Sequence, residues 1–334
     1  MQKPSLFNRV ISYSILCSIA LVLGSISLLL HSKSSIYQKS LQSATETPRD
    51  PFPVSVNAYT KEIDEDPAFL PFYESTFAAN NTPTKQLLNK LTAVFSSKSW
   101  YQNLASPVSR IIVIWPGERK EQVTNNIGDI LNWSSTQRAE FEDLIDTQNP
   151  ILSDGKYFPG QYVTHYQATP LEIASLISTQ FTQEVTLRYP ETVSNQVPLE
   201  DALIIASLLE REASDFQNQR EVAGVIWNRL FIDMPLQLDA TLQYVKANNP
   251  TEPKWWPAVR PPDKFLDSEF NSYQNTGLPP GPIANPSAET VLAALNPVDT
   301  NCLYYFHGPN ADYYCSVDYE QHVTQLKEIY GRGR

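Results

Sequence analysis

The chain has 334 residues, 42% of them hydrophobic, and a formal net charge of −11. That is enough apolar material for one elongated or two small packed domains, and the acidic surplus excludes nucleic acid, whose phosphates need an excess of Lys and Arg. Four His with no i, i+4 pair and three Cys with no cluster argue against a metal centre, and 11 Gly with no G-x-S-x-G or phosphate-cradling run argue against serine hydrolysis and nucleotide binding.

Residues 10–30 form an almost unbroken apolar run without a charge, preceded by Lys3 and Arg9. This is long enough to span a bilayer, and the flanking cations set the N-terminus in the cytoplasm and the rest outside, although Lys33 and Lys39 weaken that bias. A cleaved secretory signal is the alternative, but its apolar region is normally only about 7–15 residues. The expected arrangement is therefore residues 1–33 as cytoplasmic tip and single transmembrane helix, inserted in the cell membrane, and 34–106 as linker and N-terminal helical segment. The Ser, Thr, Gln and Pro of 34–53 suit a spacer, and Leu87, Leu88, Leu91, Val94 and Phe95 mark one stripe of a helix over 84–95.

A strand over 110–115 turns at Pro116-Gly117 into a polar helix marked by Val123, Ile127, Ile130 and Leu131. This strand-turn-helix resembles the LysM-like segment that precedes the catalytic part of some cell-wall enzymes, which makes 107–155 a LysM-like βα module and 156–334 the catalytic domain. Thr169-Pro170-Leu171-Glu172 starts a helix with a Thr cap, Pro at the first helical position and Glu three residues after the cap. A second helix runs from 199 to 212 and a third over 219–231, with Val222, Val225, Ile226 and Leu230 inward. The prolines around Trp255-Trp256 exclude regular structure over 248–262, and Gly277 to Ile283 is a rigid turn. Asn285-Pro286 is expected to cap a helix reaching Leu295. A hairpin over 303–314 is bracketed by Cys302 and Cys315, for which a cross-strand disulfide and two buried thiols both fit, and a helix over 322–330 closes an α+β body.

What remains for chemistry is carboxylate. The helical run Ala202 to Leu209 is apolar but for Ser207 and ends in Glu210-Arg211-Glu212. At about 100° per residue, the two Glu project about 200° apart and meet different surroundings. A carboxyl held against apolar groups keeps its proton to higher pH, as a general acid requires. Glu221 and Asp239 lie near in sequence, and Trp255, Trp256, Tyr244 and Tyr273 offer faces for sugar stacking or for loop packing.

Five ordered blocks now resemble the MltG/YceG-like endolytic murein transglycosylases: Ala206 to Glu212, Val222 to Leu230, Met234 to Asp239, Asn271-Ser272-Tyr273, and Gly277 to Pro286. The resemblance is strong over about 199–322 and thinner before. It implies cleavage of peptidoglycan glycan strands between N-acetylmuramic acid and N-acetylglucosamine, leaving 1,6-anhydro ends, with Glu212 catalytic and no cofactor or metal. Glu210, Gln237, Asp239, Asn271, Tyr273 and Asn285 are the substrate-binding candidates it brings, and wall synthases and division proteins the possible partners. The chain departs from the family pattern at Ala213, Ser316 and Val323, so a non-catalytic wall-binding scaffold stays open, as does a conventional hydrolase using Asp239 or Glu221 to activate water.

Overall fold

The computed structural model describes residues 49–78, 91, 94, 109–147, 150–248, 254–310 and 312–331. The expected membrane span and nearly all of the expected 84–95 helix lie outside them. Among the described residues no helix is long and apolar enough to cross a membrane.

The described residues open with two short antiparallel strands, β1 (Val56–Asn57) and β2 (Glu62–Ile63), then α1 (Phe69–Thr76). Next come β3 (Ser109–Ile114), α2 (Lys120–Leu131), α3 (Ser135–Asp146), a 3-10 turn at Pro150–Gly155 and β4 (Gly160–His165). β3 and β4 pair antiparallel over their full length, Ile112 opposite Tyr162, so the expected boundary at 155/156 falls between two strands of one sheet. The second helix and the closing strand were not part of the strand-turn-helix expectation. Ser134 starts α3 by accepting from the Gln137 N–H at 3.3 Å, a cap that leaves the helix start satisfied although it was not read from the sequence.

The main body is helical: α4 (Pro170–Glu184), the short α5 (Glu191–Ser194), α6 (Leu199–Glu212), α7 (Phe216–Phe231), α8 (Asp239–Ala247) and α9 (Ala288–Leu295). Thr169 caps α4 as expected, accepting from the Glu172 N–H while Glu172 accepts from the Thr169 N–H. α7 begins three residues earlier than the expected start at 219, because Asp215 accepts from the Asn218 N–H at 2.9 Å and supplies the cap. α9 is capped by Ser287, whose hydroxyl accepts from the Thr290 N–H at 3.1 Å, and not by Asn285-Pro286 as expected. The hairpin β5 (Tyr304–His307) and β6 (Tyr313–Ser316) and the helix α10 (Tyr319–Tyr330) finish the α+β fold. Cys302 and Cys315 form a disulfide, Cα atoms 5.8 Å apart, which decides between the two states that the sequence left open.

α6 is the centre of this body. Every residue from Ala202 to Leu209 is buried, as a stretch apolar on nearly every side must be, and the helix packs on α7, α8 and α9. Each of Leu203, Ile205, Leu208 and Leu209 has no exposed surface, and each such side chain contributes on the order of 1.5–3 kcal/mol. The consequence is positional: the last turn of α6, with its two Glu, is held by the best-packed helix of the fold. The Pro-rich turn runs along the same helix, where the Ile283 N–H donates to Ser207 Oγ at 3.0 Å.

Candidate active site

α6 stops because Ala213 turns extended, its N–H still donating to the Leu209 carbonyl. The two Glu of the last turn then part. Glu210 Oε1 accepts from the Ser287 N–H at 2.8 Å and from the Thr290 hydroxyl at 2.6 Å, joining the end of α6 to the start of α9. Burial pushes its carboxyl up, and the Thr290 and Ser287 donors pull against that.

Glu212 is half-buried and faces the other way. Its Oε2 accepts from the Tyr305 hydroxyl on β5 at 2.9 Å, and the Ala240 backbone N–H in the first turn of α8 also binds the carboxylate. Burial raises its pKa above the ordinary carboxylate range and the nearby Asp239 charge adds to the rise, while Tyr305, Ala240 and Arg211 oppose it. One helix end thus carries a carboxyl committed to the frame and another kept protonated to higher pH at a helix N-terminus.

The segment before α8 forms the next wall. Gln237 adopts the left-handed region, φ 52°, which a non-glycine residue holds only when its surroundings fix it. They do: Leu236 and Leu238 on either side are buried, the Gln237 N–H donates to the Ser272 carbonyl at 3.0 Å, and the Leu238 N–H to Ser272 Oγ at 2.9 Å. The Gln237 side chain is left exposed, as is that of Asp239. Asp239 Oδ1 accepts from the Tyr273 hydroxyl at 2.7 Å, and the Lys264 ammonium lies 4.7 Å from the centre of the Tyr273 ring. Asp239 and Tyr273 therefore lie near Glu212, and Gln237 is two residues before Asp239 on the same segment.

Two candidates are given a different use. Asn285 has no exposed surface; its Oδ1 accepts from the Tyr157 N–H at 2.9 Å and its Nδ2 donates to the Glu118 carbonyl at 2.8 Å. Asn271 is equally enclosed, donating to the Leu266 carbonyl at 2.7 Å and accepting from the Tyr273 N–H at 3.0 Å. Both side chains are enclosed and turned onto backbone groups that would otherwise be buried without partners. Glu210 is likewise engaged by the frame.

The aromatic candidates also divide. Tyr244 is buried with its hydroxyl on Asp154 at 2.7 Å, and Trp256 packs against the Arg211 guanidinium, 3.9 Å from its ring. Trp255 stays partly exposed on the same loop. Three residues that sequence reasoning missed complete the site: Tyr305, Ser272 and Arg229. The Arg229 Nε donates to the Leu303 carbonyl and one terminal nitrogen to the Leu236 carbonyl, each at 2.6 Å, tying the strand that carries Tyr305 to the segment that carries Gln237. Ser272 sits within a block already recognised, and a buried Arg229 inside an amphipathic helix was a signal that was there to read. Tyr305 was invisible, because its partner is 93 residues away.

Among the described residues no group of three or more His, Cys, Asp or Glu is placed to hold a metal ion. The arrangement is suited to proton transfer by one half-buried carboxyl.

A sequence model of the YceG-like family matches residues 75–328. An endolytic murein transglycosylase of Bacillus subtilis is 30% identical over 239 residues, covering 66% of this chain and 64% of the relative. One of Streptococcus pneumoniae is 29% identical over 152 residues, 46% of this chain and 27% of that protein. The chain thus spans less than two thirds of the curated relatives it matches. A crystal structure of a YceG-like protein from Listeria monocytogenes superposes with a TM-score of 0.56 at 22% identity, over 77% of this chain and 90% of the other, and shares the fold.

Proposed function

The chain belongs to the YceG-like family, and on that premise we propose that it is a lytic transglycosylase of peptidoglycan in which Glu212 acts first as acid and then as base. The observation that carries the proposal is a half-buried Glu212 whose burial raises its pKa, set near the exposed Asp239. In the first step Glu212 gives its proton to the glycosidic oxygen between N-acetylmuramic acid and N-acetylglucosamine. The C1–O bond breaks and its electron pair stays with the departing oxygen. The muramoyl 6-hydroxyl then attacks C1, and its proton returns to the Glu212 carboxylate. The product carries a 1,6-anhydro ring, no water is consumed, and the acid is regenerated. A single essential carboxyl fits this intramolecular route, whereas ordinary glycosidases use a pair.

Gln237 and Asp239 bind sugar hydroxyl or acetamido groups, and Tyr273 orients Asp239. In the cell the chain is held by the apolar run at 10–30 as a single-pass membrane protein with its N-terminus in the cytoplasm, and it shortens or terminates nascent strands beside the wall synthases and division proteins. The unit from β3 to β4 serves as a LysM-like wall-binding module.

A hydrolytic reading draws on one specific observation, the exposed Asp239 carboxylate close enough to Glu212 to raise its pKa. Mass spectrometry of muropeptides released by the full-length chain separates the two. Anhydro ends, one water lighter than reducing ends, that disappear with Glu212→Gln support the lytic route; reducing ends support hydrolysis. No release by the unsubstituted chain overturns both and leaves the scaffold.

A further inference from the structure

The Tyr305 hydroxyl is placed on Glu212 by three independent constraints. Its strand pairs residue for residue with β6, Tyr305 opposite Cys315. The Cys302–Cys315 disulfide closes the base of the same hairpin. Arg229 grips the Leu303 carbonyl two residues before it. The ring is partly buried, lies nearly parallel to Tyr313 with centroids 6.1 Å apart, and presents its hydroxyl to Glu212 Oε2 at 2.9 Å. A hairpin braced this heavily to deliver one O–H to one carboxylate oxygen does more than fill space.

We infer that Tyr305 is a positioning residue for the proton transfer, holding Oε2 of Glu212 by a hydrogen bond so that Oε1 is the oxygen that gives and then takes the proton. The inference rests on the proposed lytic reaction and deepens it. A phenol O–H facing Oε2 makes that oxygen the acceptor, so the carboxyl proton resides on the other one. When that proton leaves for the glycosidic oxygen, charge develops on the carboxylate, and the neutral hydrogen bond from Tyr305 becomes a charge-assisted one. An interaction that strengthens as the reaction proceeds lowers the barrier, and a fixed donor needs no reorganisation at that moment. The Ala240 N–H acts in the same sense from the first turn of α8.

The charged and titratable groups facing the pair are Asp239 on α8, Tyr273 bonded to it, Arg211 on α6, and Arg229 and Tyr313 behind Tyr305. Tyr305 favours the ionised Glu212 and Asp239 disfavours it. Their removal therefore moves the Glu212 titration in opposite directions. Because the acid form starts the reaction, the alkaline limb of the pH-rate profile follows that titration.

The test compares initial rates of anhydro-muropeptide release by the full-length chain across pH with those of Tyr305→Phe and Asp239→Asn. For Tyr305→Phe the expected result is a fall in kcat of about 10- to 100-fold, the range for loss of a hydrogen bond to a charged group. KM should stay near its original value and the alkaline limb should move to higher pH; Asp239→Asn should move that limb to lower pH. Site-specific Tyr305→3-fluorotyrosine, which keeps shape and sharpens the O–H as a donor, should move it downward and does not depend on the Phe variant folding. Anhydro release with an unmoved limb in both Tyr305 variants overturns the inference while leaving the lytic reading intact. No anhydro release by the unsubstituted chain overturns the reading on which the inference rests, and the inference with it.

Discussion

Two carboxyls two residues apart at the end of α6 are assigned opposite work, and Glu210→Ala tests that division. The Glu210 carboxylate accepts from the Ser287 N–H at 2.8 Å and the Thr290 hydroxyl at 2.6 Å, both in the first turn of α9. Hydrogen bonds to a charged acceptor are worth about 1.5–3 kcal/mol each, and a buried donor left without one costs about as much. Part of this is recovered, since the Thr290 hydroxyl has a second acceptor in Gln219 Oε1 at 3.3 Å and the cost of burying the carboxylate disappears. The net expectation is a loss of about 2–4 kcal/mol. At about 2–4 °C per kcal/mol for a body of this size, the melting temperature should fall by about 4–16 °C. The assay is thermal unfolding followed by circular dichroism, paired with muropeptide release measured well below the melt. Glu210→Ala should still cleave at a rate within a few-fold of the unsubstituted chain. Glu212→Gln should melt at an unchanged or higher temperature and release nothing. A Glu210→Ala chain that melts with the unsubstituted one, or that folds and is as inactive as Glu212→Gln, refutes the division.

Asp154, buried under the Lys120 N–H and the Tyr244 hydroxyl, is pushed up by burial to about 7, with Glu121 adding to the rise. A carboxyl whose folded pKa lies above its unfolded value favours the folded state most at low pH, and this contribution fades as pH rises from about 4 to about 7. Asp154→Asn should remove that slope, so that its stability relative to the unsubstituted chain climbs by up to about 4 kcal/mol by pH 7 and then levels off, read from urea unfolding at each pH. An unchanged difference between pH 5 and 8 counts against it. Replacing Cys302 and Cys315 together by Ser opens a loop with a sequence separation of 13. The cost should be about 2–3 kcal/mol in urea unfolding, with a loss of cleavage activity as well, because Tyr305 rides on the same hairpin; retention of both is the contrary result. Gly224 lies where a Cβ would come 2.5 Å from the Val298 carbonyl oxygen. Gly224→Ala should destabilise by about 1–3 kcal/mol, and a neutral thermal melt would show that the 298–300 segment yields.

Much of the fold is readable locally. Periodicity and cap chemistry place α4, where Thr169, Pro170 and Glu172 satisfy the first turn from within four residues, and α6, which opens on Pro198 and whose apolar run closes on three charged residues. They also place β3 and the closing hairpin. The reading fails where a partner is remote. Nothing near Gly160 in sequence announces that β4 pairs with β3, since strand pairing is a long-range choice. Ser287 rather than Asn285 caps α9, because Asn285 is drawn away by Glu118 and Tyr157, more than a hundred residues upstream.

The site divides along the same line. Sequence by itself pointed to carboxylate chemistry at the end of one apolar helix, because residue type and helical angle are properties of the chain alone, and the order of the blocks added the resemblance that singles out Glu212 from Glu210. Only the tertiary structure decided which groups surround it: that Glu210 braces α9, that Asn271 and Asn285 hold loops from inside, and that Tyr305 supplies the donor. A hydrogen bond is satisfied by distance and direction in space, and neither can be read from separation along the chain.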